Sequence, residues 1–298
     1  MGALTYEPDQ SIVKTSSHFL QLTHLAEESH AVLNGASEKV IEELLALNGS
    51  SAGAHPKILV GVSKNKREII HGVDDIKSDY EHWIVKFTSS TDLKDNGAIE
   101  YAYSLMARAG GINMPETYLF QAENGGGYFG VKRFDRRGND RMHVHSLSGL
   151  LHADHRLPSL DYEEILRATL ILTKSMPEAQ NFFRLAAFNV FTHNRDDHAK
   201  NFAYLMDRDG TWRTAPAYDL TFSSGPGGEH STTVMGEGRN PNRKHLQRLG
   251  KKMNIKKTDE IIDQVADAVS RWQEFAEQAG VTKESRDLIR KNLNFRLS

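Results

Sequence analysis

The chain has no cysteine among its 298 residues. Disulfides and cysteine-bound zinc are therefore excluded, and a reducing compartment is allowed. No apolar run approaches the length of a membrane span. The N-terminus, Met1-Gly2-Ala3-Leu4-Thr5-Tyr6, lacks the basic stretch and apolar core of a signal peptide. It also lacks the Ser or Thr at position 6 that myristoylation needs. The formal net charge is only −2, so no global basic field points to nucleic acid. Gly-x₄-Gly-Lys-Ser/Thr is absent, which excludes a Walker A phosphate loop. There is no internal repeat and no low-complexity segment. The expectation is a soluble cytoplasmic protein with no membrane association. Its 39% hydrophobic and 26% charged residues are globular values, and its length suits one large domain or two lobes.

What is present divides near residue 135. Helix patterns cover 16–33 and 37–47, and a small loop rich in Ser, Ala and Gly follows at 49–54. Strand patterns cover 58–62, 82–87, 116–121 and 127–134, with a helix over 96–110 between the second and third. Beyond residue 136 the pattern is mainly helical, at 161–175, 179–194, 258–279 and 283–296. A hairpin over 202–218 interrupts it. The expected architecture is α+β: a small strand-rich N-lobe over 1–134 and a larger helical C-lobe over 135–298. The two join at Lys132-Arg133-Phe134-Asp135-Arg136, with a natural cleft between lobes.

The residues that suggest chemistry lie between 194 and 222. Asp196 and Asn201 are five apart, the spacing of a kinase catalytic-loop Asp and its metal-binding Asn. Asp209-Gly210, between two aromatic-rich runs, signals a hairpin. A turn centred there sets Asn201 opposite Tyr218, next to Asp219. Oxygen ligands from Asn201 and Asp219 suit Mg²⁺, a hard cation that shares the phosphate oxygens of a nucleotide. Upstream, Lys86 stands in an otherwise apolar strand and Glu100 in the following helix. A strand Lys held by a helix Glu is the pair with which kinases grip α/β-phosphates. The loop around Ser50 and Ser51 offers backbone N–H groups to phosphate and hydroxyls to phosphorylation.

Each feature also has an ordinary explanation. Asp-Asp-His can be a polar turn, Asn201 a cap and Asp219 an N-cap. A strand lysine often snorkels to water. His193, Asp196, Asp197 and His198 could suggest a metal hydrolase, but no ligand spacing completes a zinc set. Seven Lys or Arg residues from Arg243 to Lys257 read first as a solvated face.

Taken together, the motifs resemble the HipA family of bacterial toxin serine/threonine kinases, over nearly the whole chain. Ser50-x-Ala52-Gly53-Ala54-x-x-Lys57 resembles its Gly-rich, autophosphorylated loop. Val131-Lys132-Arg133-Phe134-Asp135-Arg136 resembles its hinge strand. Asp196-x-His198-Ala199-Lys200-Asn201-Phe202 resembles its catalytic loop, and Pro216-x-Tyr218-Asp219 its metal-binding segment. The resemblance implies Asp196 as catalytic base, Asn201 and Asp219 as Mg²⁺ ligands, and Lys86 and His198 at the phosphates of ATP. It implies Ala52, Gly53 and Ala54 over the nucleotide, main-chain groups of Lys132 and Phe134 at adenine, and autophosphorylation at Ser50 or Ser51. Many relatives carry Glu where Lys132 stands. Full-length relatives carry about a hundred further residues ahead of the segment matching this N-terminus, roughly a small domain. The chain is thus similar to the short HipT kinases of three-component HipBST systems. That implies a helix-turn-helix antitoxin, a small protein supplying the missing subdomain, and DNA contact only through the antitoxin. An aminoacyl-tRNA synthetase is the implied substrate. The different-class alternative is a nucleotide-binding regulatory subunit without transfer activity.

Overall fold

The computed structural model describes residues 2–3, 57–71, 75–87, 93, 95–122, 126–154 and 160–294. The expected helices at 16–33 and 37–47 lie outside the described residues. So does the whole loop with Ser50, Ser51, Ala52, Gly53 and Ala54. The chain divides into two compact units. One contains the described residues from Lys57 to Tyr101 together with Pro115–Arg141. The other contains Ala102–Met114 and everything from Met142 onward.

Among the described residues, the first unit is built on a five-stranded sheet in the order β2-β1-β3-β5-β4. Its strands are β1 (Lys57–Ser63), β2 (Ile69–His71), β3 (Tyr80–Lys86), β4 (Thr117–Phe120) and β5 (Tyr128–Lys132). All neighbours in the sheet are antiparallel. Ile58, Val60 and Val62 alternate along β1 and are fully buried. They pack with Trp83 and Val85 of β3, and with Phe87 and Phe120. Alternation of period two places these side chains on one face. Helix α1 (Asn96–Ala109) joins β3 to β4. Gly97 lets its first turn approach the sheet, since a Cβ there would sit 2.3 Å from the carbonyl oxygen of Gly127. A short hairpin, β6 (Arg136–Arg137) and β7 (Asp140–Arg141), follows β5.

The second unit is mainly helical. It contains β8 (His143–Ser146), α2 (Leu147–Leu151), β9 (Leu160–Asp161), α3 (Tyr162–Thr173) and α4 (Met176–Thr192). Then come β10 (Ala203–Met206), β11 (Trp212–Thr214), β12 (Thr232–Thr233) and four helices. The helices are α5 (Arg243–Lys252), α6 (Thr258–Ser270), α7 (Trp272–Gln278) and α8 (Lys283–Asn292). Helix α4 buries almost its whole circumference after its first turns, the mark of a helix at the centre of a core. It ends at His193, whose left-handed φ of 56° turns the chain toward the loop at 194–201. The second half of α1 joins this core. The hydroxyl of Tyr103 donates to the Thr192 carbonyl at 2.7 Å, and its ring meets Phe188 and Trp272 edge to face.

Several expectations need correction. The expected helix over 258–279 breaks at Arg271 into α6 and α7. Trp272 is buried there and donates to the Arg286 carbonyl at 3.2 Å, which holds the turned chain. The region after residue 136 carries more strand than expected: β8 pairs with β10, making the 202–218 hairpin a three-stranded sheet. Helix α5 forms where the sequence offered only a basic run; Leu246, Leu249 and Gly250 are its buried side. The hairpin register is also shifted by one residue. Tyr204 pairs with Thr214 and Met206 with Trp212, so the turn centres on Asp209. Asn201 therefore extrapolates to Ala217 rather than Tyr218. The cause is the Asp207 carboxylate, which accepts the N–H groups of Asp209 and Thr211 and makes a five-residue loop of a two-residue turn.

Candidate active site

The loop after α4 separates two consecutive aspartates. The side chain of Asp196 is 52% exposed, whereas that of Asp197 is fully buried. A single 3₁₀ turn, Ala199–Asn201, closes the loop. Asn201 seals it by donating its Nδ2 to the Asp196 main-chain carbonyl at 2.8 Å. The spacing of five thus has a physical basis: it is the length of loop that one Asn side chain can bridge. Nε2 of His198 lies 3.9 Å from Oδ1 of Asp196, close enough for electrostatic contact and too long for a hydrogen bond.

Asp219 sits where the chain leaves the hairpin, with a left-handed φ of 59°. Such a φ is uncommon outside glycine and is most accessible to Asn and Asp. Its neighbour Tyr218 donates its hydroxyl to the Lys200 carbonyl at 2.5 Å. The segment before Asp219 is thereby tied to the residue before Asn201. Burial, and next the Asp219 carboxylate, push the Tyr218 hydroxyl well above its ordinary pKa, so it remains a donor at neutral pH. With Nδ2 of Asn201 committed to the loop, its Oδ1 is the atom left to meet a cation. The Asp219 carboxylate is a second oxygen donor tied to the same loop. This donor set fits a hard divalent cation. Among the described residues, no group of three His, Asp or Glu side chains gathers in a metal-binding cluster.

His193 turns away from Asp196. It stacks on Phe222 with ring centroids 5.3 Å apart, and its Nδ1 lies 3.1 Å from the Ser223 carbonyl. Burial, with Arg195 next, pulls its pKa below the ordinary value.

The first unit holds Lys86, Lys132 and Phe134. Nζ of Lys86 lies 2.5 Å from Oε1 of Glu100, and the two side chains are 17% and 7% exposed. Lys86 also stands over the Phe129 ring at 5.7 Å. The nearly buried Glu100 fixes the ammonium at the end of β3. At the end of β5, the Lys132 N–H is already used, donating to the Glu116 carbonyl at 2.9 Å. Its side chain pairs with Glu81 at 2.5 Å. The Lys132 N–H is therefore already committed within the sheet, and Phe134 lies half-buried two residues on. Behind them Asp135 accepts two bonds from Arg133 and one from Arg136.

Two residues that sequence reasoning missed complete the loop: the role of Asp197 and the whole of His230. Asp197 accepts from Tyr162, His230 and Thr232. A doubled Asp in the loop was the only signal for this, because the partners lie more than thirty residues away on both sides.

Residues 49–272 match the model of the HipA-like C-terminal domain. Among solved structures, the chain is similar to HipA of Shewanella oneidensis MR-1, determined in a toxin–antitoxin complex with HipB and its operator DNA. The TM-score is 0.65 at 17% identity, covering 97% of this chain and 72% of that one. The proinflammatory kinase CtkA of Helicobacter pylori aligns with a TM-score of 0.43 at 13% identity, over 73% of this chain and 92% of its own.

Proposed function

The chain belongs to the HipA-like C-terminal domain family, with that family's α+β, kinase-like fold, and on that premise we propose that it is a toxin serine/threonine kinase. It transfers the γ-phosphate of ATP to a Ser or Thr of a protein, an aminoacyl-tRNA synthetase being the substrate class that the resemblance implies. The observation that carries the proposal is the loop in which Asn201 closes onto the Asp196 main chain while the Asp196 carboxylate stays exposed. Asp196 would accept the substrate hydroxyl proton and orient the nucleophile in line. Asn201 and Asp219 would hold Mg²⁺, which when bound neutralises charge on the phosphate oxygens. Lys86, fixed by Glu100, would contact the phosphates, and His198 would lie beside them. The main chain at Lys132 and Phe134 would receive adenine, with Ala52, Gly53 and Ala54 over the phosphates.

Autophosphorylation at Ser50 or Ser51 would place nearly two negative charges at the nucleotide phosphates and shut the enzyme down. A helix-turn-helix antitoxin and a small companion protein are the proposed partners, and co-purification of tagged protein from a native host tests them.

The test of activity is intact-mass measurement after incubation with ATP and Mg²⁺, alone and with a bacterial lysate. One added phosphate, on the protein itself or on a lysate protein, supports the proposal. Nucleotide binding with no transfer to either would favour a regulatory subunit instead.

A further inference from the structure

We propose that Asp197 is a positioning residue. Its buried carboxylate, held by His230, fixes the loop that presents Asp196, and the segment from Gly225 to Arg239 serves as the brace of that loop. The kinetic consequence rests on the kinase reading above; the bracing itself rests on geometry alone.

The carboxylate receives three donors. The Thr232 N–H reaches Oδ1 at 3.1 Å. The Tyr162 hydroxyl and Nδ1 of His230 each lie 2.9 Å from Oδ2. Tyr162 in turn accepts from Nδ2 of Asn189 at 2.9 Å, and Oδ1 of Asn189 accepts from Nδ2 of Asn194 at 3.0 Å. The hydrogens thus run one way, from Asn194 to Asp197. With a carboxylate as acceptor, the network assigns the His230 proton to Nδ1. The main chain is pinned as well, since the Thr232 hydroxyl donates to the Asp197 carbonyl at 2.5 Å.

The residue on the other side of Asp196 is gripped by the same segment. The Arg195 guanidinium donates to the carbonyls of Gly228 and Arg239, and the Arg195 carbonyl accepts the Ser231 N–H at 3.1 Å. The contact is close: a Cβ on Gly225 would lie 2.7 Å from the Arg195 Cβ and 2.0 Å from the Glu229 carbonyl oxygen. Both neighbours of Asp196 are therefore immobilised from behind, while Asp196 itself faces solvent. Any shift of the loop would strip partners from a buried charge, which is strongly unfavourable. The brace follows Asp219 in the chain, so it is continuous with the segment that carries the second candidate metal ligand.

The test compares wild type, His230→Ala and His230→Asn by backbone hydrogen exchange and by steady-state kinetics. The alanine variant should exchange faster at 194–201 while the amides of α6 keep their protection. Its kcat should fall about 100-fold, the scale of an ångström-level misplacement, with KM for ATP little changed. Asparagine places an amide nitrogen where Nδ1 of His230 sits, and it should restore both readouts. Tyr162→Phe removes a second donor without removing the ring and should move exchange the same way, which covers the case in which His230→Ala does not fold. Wild-type exchange at 194–201 in a folded His230→Ala or Tyr162→Phe protein would overturn the proposal, as would failure of a folded His230→Asn to restore it. If wild type transfers no phosphate, the kinase reading fails, and the exchange data still decide whether the brace exists.

Discussion

Lys86 and Glu100 show how one ion pair can be read for stability and for function separately. Both side chains are largely buried, so Lys86→Met leaves a buried carboxylate without its cation and should cost about 3 kcal/mol in urea unfolding. Lys86→Met combined with Glu100→Met should recover most of that loss, because an apolar pair of similar size fills the same space. If Lys86 is the phosphate contact proposed above, phosphoryl transfer should not recover. Recovery of transfer in the double variant would remove Lys86 from the site. This pair was legible in the sequence because strand and helix each offered one charge in an apolar setting. The Asp197–His230 pair was not, because a buried carboxylate announces its partners only through the fold.

At the scale of elements, close approach and register carry the account. Gly97→Ala should destabilise the protein by about 2 kcal/mol, since its Cβ would meet the rigid main chain of Gly127. Gly110→Ala, where the nearest atom is 3.5 Å away, should stay within about 0.5 kcal/mol of wild type. Thermal unfolding of the two variants checks the contrast, and equal shifts would mean that the first turn of α1 is not pressed against the loop before β5. Four strands of the five-stranded sheet were legible from their apolar and aromatic runs, whereas β2, only three residues long, was not. Strand β8, His143–Ser146, was not: it is half-buried with two histidines, and it becomes a strand only by pairing with β10. The hairpin was found, but Asp207 moved its centre by one residue, a detail of side-chain capping that an Asp-Gly signal alone does not resolve.

At the scale of the whole molecule, acid stability follows from the carboxylates of the first unit. Burial works to raise the pKa of Asp135, but Arg133 and then Arg136 hold it below the ordinary value. Glu81 is lowered in the same way, Lys132 and Lys66 outweighing burial. A depressed carboxylate pKa adds stability above its unfolded value, about 4, and that stability is lost as pH falls through the folded value. Unfolding temperature should therefore be steady at neutral pH and drop below about pH 4. Asp135→Asn should start lower and fall less steeply over that range; an unchanged acid slope would contradict the ion-pair assignment. Phosphoryl transfer by this chain is the central proposal. The most direct measurement is label from [γ-³²P]ATP on protein, for wild type and Asp196→Asn, with nucleotide binding followed in parallel. The account predicts label with wild type, loss of nearly all of it with Asp196→Asn, and ATP binding retained by both. Equal labelling by the two proteins would contradict it.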